Sequence, residues 1–215
     1  GILYDYAEDA ESEENAIEDY PVTLFLSQHG YFKKITPQSL RMSGEQKFKE
    51  DDALSMSVES SNAAELMFFT DKAQVYKTRA SDFADGKASQ LGDYLPAKLG
   101  MDEGESVMGM VLPGDYSGYM IFFFENGKAA KVELSAYKTT SNRRRLTGAY
   151  SDKSPLIKAV ALDADEQMVA YSTDGRAAIF STAQLLPKTT RNTQGVAVMT
   201  LKKKATLRDA VLLTQ

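Results

Sequence analysis

Three consecutive arginines, Arg143, Arg144 and Arg145, form the densest cluster of guanidinium groups in this 215-residue chain. Guanidinium groups fit the planar, bidentate geometry of phosphate and carboxylate, so the chemistry they announce is the gripping of a polyanion. Lys188 and Arg191 stand in a loop nearer the C-terminus, Lys33, Lys34 and Lys77 follow turn signals, and Lys87 lies in a polar loop. Groups for covalent work are scarce by comparison. With no cysteine there is no thiolate nucleophile, disulfide or thiolate metal site. His29 is the single histidine and sits on a turn, which leaves no Ser-His-Asp triad and no His-based metal site. Asp163-Ala164-Asp165-Glu166 resembles the start of a calcium loop, but the glycine and downstream glutamate that such a loop requires are missing. No G-x-x-x-x-G-K-[ST] or G-x-G-x-x-G string is present to cradle a nucleotide. The expectation is a binding protein without catalytic residues, metal or cofactor.

Cations hold a polyanion only when a scaffold spaces them, and here the scaffold reads as a repeat. Four segments align: VTLFLSQHGYFKKITPQSL from Val22, AELMFFTDKAQVYKTRASDF from Ala64, SGYMIFFFENGKAAKVELSAY from Ser117, and EQMVAYSTDGRAAIFSTAQL from Glu166. Each opens with a β-prone apolar run, passes a two-residue turn, and continues in a strand richer in Lys or polar residues. His29-Gly30, Asn126-Gly127 and Asp174-Gly175 occupy three of the turns, where a tight hairpin needs positive φ. Lys72-Ala73 in the second copy points to a turn of different geometry. Ten residues beyond the turn position stand Leu40, Phe83, Tyr137 and Leu185, all large and apolar. Four residues beyond it stand Lys34, Lys77 and Lys131, with Ile179 breaking the column. Turn positions 30, 73, 127 and 175 are 43, 54 and 48 residues apart, the size of propeller blades. A polar or basic loop and a further strand follow each hairpin. The fold class expected is all-β, with about four four-stranded blades in units starting near 21, 64, 117 and 166. Leu66-Met67-Phe68-Phe69 and Phe122-Phe123-Phe124 read as blade core.

The formal net charge of −5 is unevenly spread. Residues 1–20 hold eight acids, Asp5, Glu8, Asp9, Glu11, Glu13, Glu14, Glu18 and Asp19, and no base, which leaves 25 bases against 22 acids in residues 21–215. The expected organisation is an acidic leader or linker over 1–20, too poor in apolar surface to order itself, and a mildly basic domain over 21–215. A flexible polyanion of this kind would compete with an anionic ligand for the basic loops. No apolar run reaches the roughly 18–20 residues that cross a bilayer, and residues 1–20 lack the positive start of a signal peptide. The absence of cysteine fits a reducing cytoplasm.

The string Arg191-Asn192-Thr193-Gln194-Gly195-Val196 resembles the R-x-x-Q-G-V element repeated in the C-terminal domains of bacterial type IIA topoisomerase A subunits, gyrase A and its topoisomerase IV counterpart. HGYFKKI at 29–35, and the acidic entry EDYPVTLFLSQHGYFKK, are similar to that family as well, and the likeness runs over roughly residues 2–215. The resemblance implies a β-pinwheel, in which neighbouring blades exchange strands, with ring closure left open by the sequence. It also implies a basic perimeter that bends duplex DNA, and no active site, since the family's catalytic tyrosine lies outside this domain. The implied partners are duplex DNA, the remainder of the gyrase A or topoisomerase IV A polypeptide, and the ATPase B subunit, in the cytoplasm at the bacterial nucleoid. The DNA-binding residues it points to are Arg143, Arg144, Arg145, Arg191, Lys188, Lys33, Lys34, Lys77 and Lys87, while Arg191 and Gln194-Gly195 have an equally open reading as ties between blades. One departure stands out. Where gyrase A subunits carry a Q-R-R-G-G-K-G box, this chain has Arg41-Met42-Ser43-Gly44-Glu45-Gln46-Lys47, poorer in bases and interrupted by Glu45, which favours a topoisomerase IV-like or diverged gyrase-like role. A protein-interaction propeller is the alternative, since it keeps the repeats without needing basic loops.

Overall fold

The computed structural model describes residues 16–140 and 144–213. The first repeat forms the hairpin β1 (Pro21–Ser27) and β2 (Tyr31–Ile35), and β3 (Leu54–Ser61) returns to pair with β1. The second supplies β4 (Glu65–Thr70), β5 (Gln74–Arg79), the two-residue β6 (Asp93–Tyr94) and β7 (Val107–Val111). The third supplies β8 (Tyr119–Phe124), β9 (Lys128–Glu133), β10 (Arg145–Thr147) and β11 (Leu156–Leu162). The fourth supplies β12 (Gln167–Ser172), β13 (Ala177–Ser181), β14 (Val196–Ala197) and β15 (Leu207–Leu212). The sheets are ordered β3-β1-β2-β6, β10-β5-β4-β7, β11-β8-β9-β14 and β13-β12-β15. The short third strand of repeats two, three and four therefore completes the sheet of the repeat before it. This is the strand exchange expected of a pinwheel. The expectation of four-stranded blades holds for three sheets, whereas the fourth has three strands among the described residues.

The chain divides into two compact units. One is built on the first sheet with the segment Thr78–Gly100, and the other on Leu66–Lys77 with the chain from Met101 onward. In the first, Leu24, Leu26, Phe32 and Ile35 are fully or almost fully buried, and the Phe83 ring lies 4.4 Å from that of Phe32. In the second, the run Met120–Phe124 is apolar throughout because β8 is covered on both faces. Met120, Phe122 and Phe124 join Phe69 and Tyr137 in one cluster, while Ile121 and Phe123 join Met168 and Phe180 in another. The period of two is present but hidden, since both faces are dry. Burial holds the Tyr137 phenol far above its ordinary pKa, as it donates to the Ala149 carbonyl at 2.7 Å.

The turn at Lys72-Ala73 corrects a sequence expectation. Ala73 takes φ 53°, the same hand as Gly30, Gly127 and Gly175 at φ 90°, 83° and 83°, so the register of the hairpin has overridden the preference of the residue. The acids from Asp5 to Glu14 lie outside the described residues. The end of the acidic stretch is bound into the first unit: the Glu18 carbonyl accepts from Asn62, Asp19 accepts from the Ala63 N–H, and the Tyr20 hydroxyl donates to Asp85. No helix among the described residues is long and apolar enough to cross a membrane.

Candidate nucleic-acid interface

The lysines that follow the hairpin turns are buried, and this is the largest correction to the sequence reading. Lys33, Lys34, Lys77 and Lys131 are 5%, 3%, 8% and 5% exposed, respectively. The Lys33 ammonium donates to the carbonyls of Ala88 and Gln90 at 3.1 and 3.0 Å, and burial lowers its pKa. Lys34 donates to Asn62 Oδ1 at 2.6 Å and the Ala80 carbonyl at 3.1 Å, with Asp85 at 3.3 Å. Lys77 donates to the Tyr137 carbonyl at 2.9 Å, and Lys131 to the Thr182 carbonyl at 3.1 Å and Asp165 at 2.7 Å.

A rule emerges from the column. Lys34, Lys77 and Lys131 each reach the short 3₁₀ turn of the next repeat, at Ala80–Asp82, Leu134–Tyr137 and Thr182–Gln184. An aromatic ring accompanies each ammonium, Tyr20, Tyr116 and Tyr119 at 5.9, 5.1 and 4.6 Å. These lysines are staples between successive repeats. Their charge is spent on protein oxygens, so Lys33, Lys34 and Lys77 are withdrawn from the phosphate-binding set.

The remaining cations lie on the loops that carry the exchanged strands. Arg143 lies outside the described residues. Arg144 is exposed, and its carbonyl accepts from Lys77 N. Arg145 begins β10 opposite Tyr76, with its guanidinium 5.0 Å from the Tyr76 ring and 3.2 Å from Asp102. Beneath it, the Glu105 carboxylate is buried and accepts from Thr70, from Gln74 at 2.9 Å, from Tyr76 at 2.7 Å and from the Asp102 N–H at 2.9 Å. Burial alone would raise the Glu105 pKa, but these donors bring it below the ordinary value. Tyr76 moves up, through burial and its bond to Glu105. A buried carboxylate thus fixes the ring on which Arg145 rests.

Lys188 is exposed on a segment zipped to β9, its N–H donating to Lys131 O at 3.0 Å and its carbonyl accepting from Glu133 N at 2.8 Å. Arg191 is half-buried and spans two carbonyls of the preceding repeat, Ala136 at 3.0 Å and Gly148 at 3.4 Å. Gly148 immediately follows β10, so Arg191 brings its loop against the strand that starts with Arg145. Gly195 serves the backbone: at φ 76° it packs so closely that a Cβ would lie 2.0 Å from the Ala129 carbonyl oxygen. In the first unit Lys87 is exposed, and the N–H of exposed Lys47 donates to the Ala88 carbonyl at 2.9 Å. That brings the backbone at Lys47 against the residue that follows Lys87, a neighbourhood the sequence did not announce because 40 residues separate the two lysines. Among the described residues, no cluster of His, Cys, Asp or Glu could hold a metal ion.

Residues 64–90 and 172–213 match the family described as DNA gyrase C-terminal domain, beta-propeller. The DNA topoisomerase 4 A protein of Staphylococcus epidermidis is 29% identical over 200 residues, 90% of this chain and 24% of that protein. The DNA gyrase A protein of Mycoplasma genitalium is 25% identical over 207 residues, 92% of this chain and 25% of that protein. Among solved structures, the C-terminal domain of DNA topoisomerase IV superposes with a TM-score of 0.80 at 22% identity, covering 93% of this chain and 63% of that one. The DNA gyrase A C-terminal domain gives a TM-score of 0.59 at 16% identity, covering 90% and 65%.

The chain is similar to gyrase A and topoisomerase IV A proteins and shares the fold of their C-terminal domains. It spans about a quarter of the length of the curated gyrase and topoisomerase IV proteins it matches. The Arg-x-x-Gln-Gly-Val string that resembles the gyrase A family has a structural meaning here, since Arg191 and Gly195 both fasten one repeat to the one before.

Proposed function

We propose that this domain holds duplex DNA by its phosphates and bends it, as a non-catalytic accessory part of a gyrase A or topoisomerase IV A protein that works with an ATPase B subunit in the bacterial cytoplasm. The observation that carries this reading is the seating of Arg191 against Gly148 O, which sets the Lys188–Arg191 loop beside the Arg144–Arg145 strand. The phosphate-contacting residues are Arg144, Arg145 and Lys188, with Arg191 as their positioning residue; Arg143, next to Arg144 in sequence, is a further candidate outside the described residues. Lys87 and Lys47 are further cationic candidates in the first unit. Contacts of this kind set position rather than sequence, so preference among DNAs comes from deformability. The segment Arg41–Lys47 offers two bases and the exposed Glu45, which supports modest bending rather than tight wrapping.

Duplex binding across a salt series tests the proposal. Changing Arg144, Arg145 and Lys188 together to alanine should lower the slope of log K against log salt by about 2–3, since each phosphate contact contributes roughly 0.9. An unchanged slope would remove these residues from the interface.

A further inference from the structure

Arg145 already holds an anion. Its guanidinium Nη1 lies 3.2 Å from Asp102 Oδ1, and both side chains are open to solvent, at 38% and 50% exposure. Of Arg144, Arg145 and Lys188, it alone has a carboxylate partner among the described residues. The pair differs in kind from Lys131 and Asp165, where the ammonium is 4% exposed and is also bonded to the Thr182 carbonyl. That lysine has no route to an outside ligand. Arg145 can trade one oxygen acceptor for another without leaving its place on the Tyr76 ring.

Asp102 is held in place for this contact. Gln74 Nε2 donates to Asp102 Oδ2 at 3.1 Å and to Glu105 Oε2 at 2.9 Å, and the Asp102 N–H donates to Glu105 Oε1 at 2.9 Å. Glu105 Oε1 also accepts from the Tyr76 hydroxyl at 2.7 Å. One buried carboxylate therefore fixes both the ring beneath the guanidinium and the acid at its side. The bond from Gln74, and after it the charge of Arg145, holds the Asp102 pKa below the ordinary carboxylate value, so the acid stays ionised.

We propose that Asp102 is an internal stand-in for phosphate, which occupies Arg145 when DNA is absent and takes it back as DNA leaves. This rests on the reading of Arg145 as a phosphate contact and adds a release step to it. An incoming phosphate must displace Asp102 from Nη1, after which two anions share the neighbourhood of one cation. Asp102 thereby weakens the grip of Arg145 and hastens dissociation.

The test compares the full chain with its Asp102→Asn variant for affinity and dissociation rate on linear duplex DNA. Asparagine keeps the shape of the side chain and an oxygen for Gln74 to bond. Affinity at low salt should rise about two- to fivefold, the range an exposed ion pair supports, with most of the gain in slower dissociation. A damaged fold would weaken binding, so a gain cannot come from misfolding. In an Arg145→Ala background the same substitution should give little gain. Glu103→Gln, an equal change of charge at the exposed neighbouring residue, should give less than Asp102→Asn. Unchanged affinity of Asp102→Asn, an equal gain without Arg145, or an equal gain from Glu103→Gln would each overturn the proposal. The variant with Arg144, Arg145 and Lys188 all changed to alanine separates it from its foundation. If that variant loses salt slope while Asp102→Asn gains nothing, only the release role of Asp102 falls. If it keeps its slope, the phosphate contact falls and the role of Asp102 with it.

Discussion

At the scale of single residues, Lys77 separates two roles for a cation. Its ammonium is bonded to the Tyr137 carbonyl inside the protein, so Lys77→Met should cost about 1–3 kcal/mol in urea unfolding by orphaning buried acceptors. The salt slope of DNA binding should not change, and a fall in that slope would return Lys77 to the interface. The lysine column itself was legible in the sequence as Lys34, Lys77 and Lys131. Its burial was not, because the 3₁₀ turn that receives each ammonium comes from residues about 45–60 positions downstream. Glu105 carries a pH signature. Its folded pKa lies below the ordinary 4.5, so its contribution is complete above that value and is lost as pH falls through the folded one. Glu105→Gln should flatten the acid limb of stability below about pH 4.5, and an unaltered limb would show that Glu105 is not its source.

At the scale of elements, the hairpins were announced by Asn126-Gly127 and Asp174-Gly175, whereas the exchanged strands β6, β10 and β14 are two or three residues long and too short to show a period. What marks two of them is the glycine before the strand. Gly195→Ala places a methyl against the Ala129 carbonyl and strains a positive φ, at a cost of about 3 kcal/mol or more. Hydrogen exchange should quicken first at the amides of β14 and of the Lys188 segment, and uniform quickening would argue against a local detachment. Arg191 had two open readings from sequence, and the carbonyls of Ala136 and Gly148 favour the tie between repeats.

At the scale of the whole molecule, charge is the property that binding to a polyanion feels. The net charge is −5, yet residues 1–15 alone hold Asp5, Glu8, Asp9, Glu11, Glu13 and Glu14. Removing those 15 residues should tighten duplex binding at low salt, with the gain fading as ionic strength shortens the screening length to about 8 Å. Equal affinity with and without them would show that the acidic stretch does not compete for the cationic loops.

The staples all point forward along the chain, and this has a consequence for synthesis. On a ribosome the Lys34 ammonium has no Ala80 carbonyl to bind until the second hairpin has emerged, and the same wait recurs for Lys77 and Lys131. At roughly 5–20 residues per second, repeats of this length impose a lag of some seconds between making a hairpin and locking it. We expect nascent chains stalled just after Ser61 to be cut readily by protease within the first hairpin, and chains stalled well beyond Gly100 to resist. Each repeat is thus held in trust until its successor is translated.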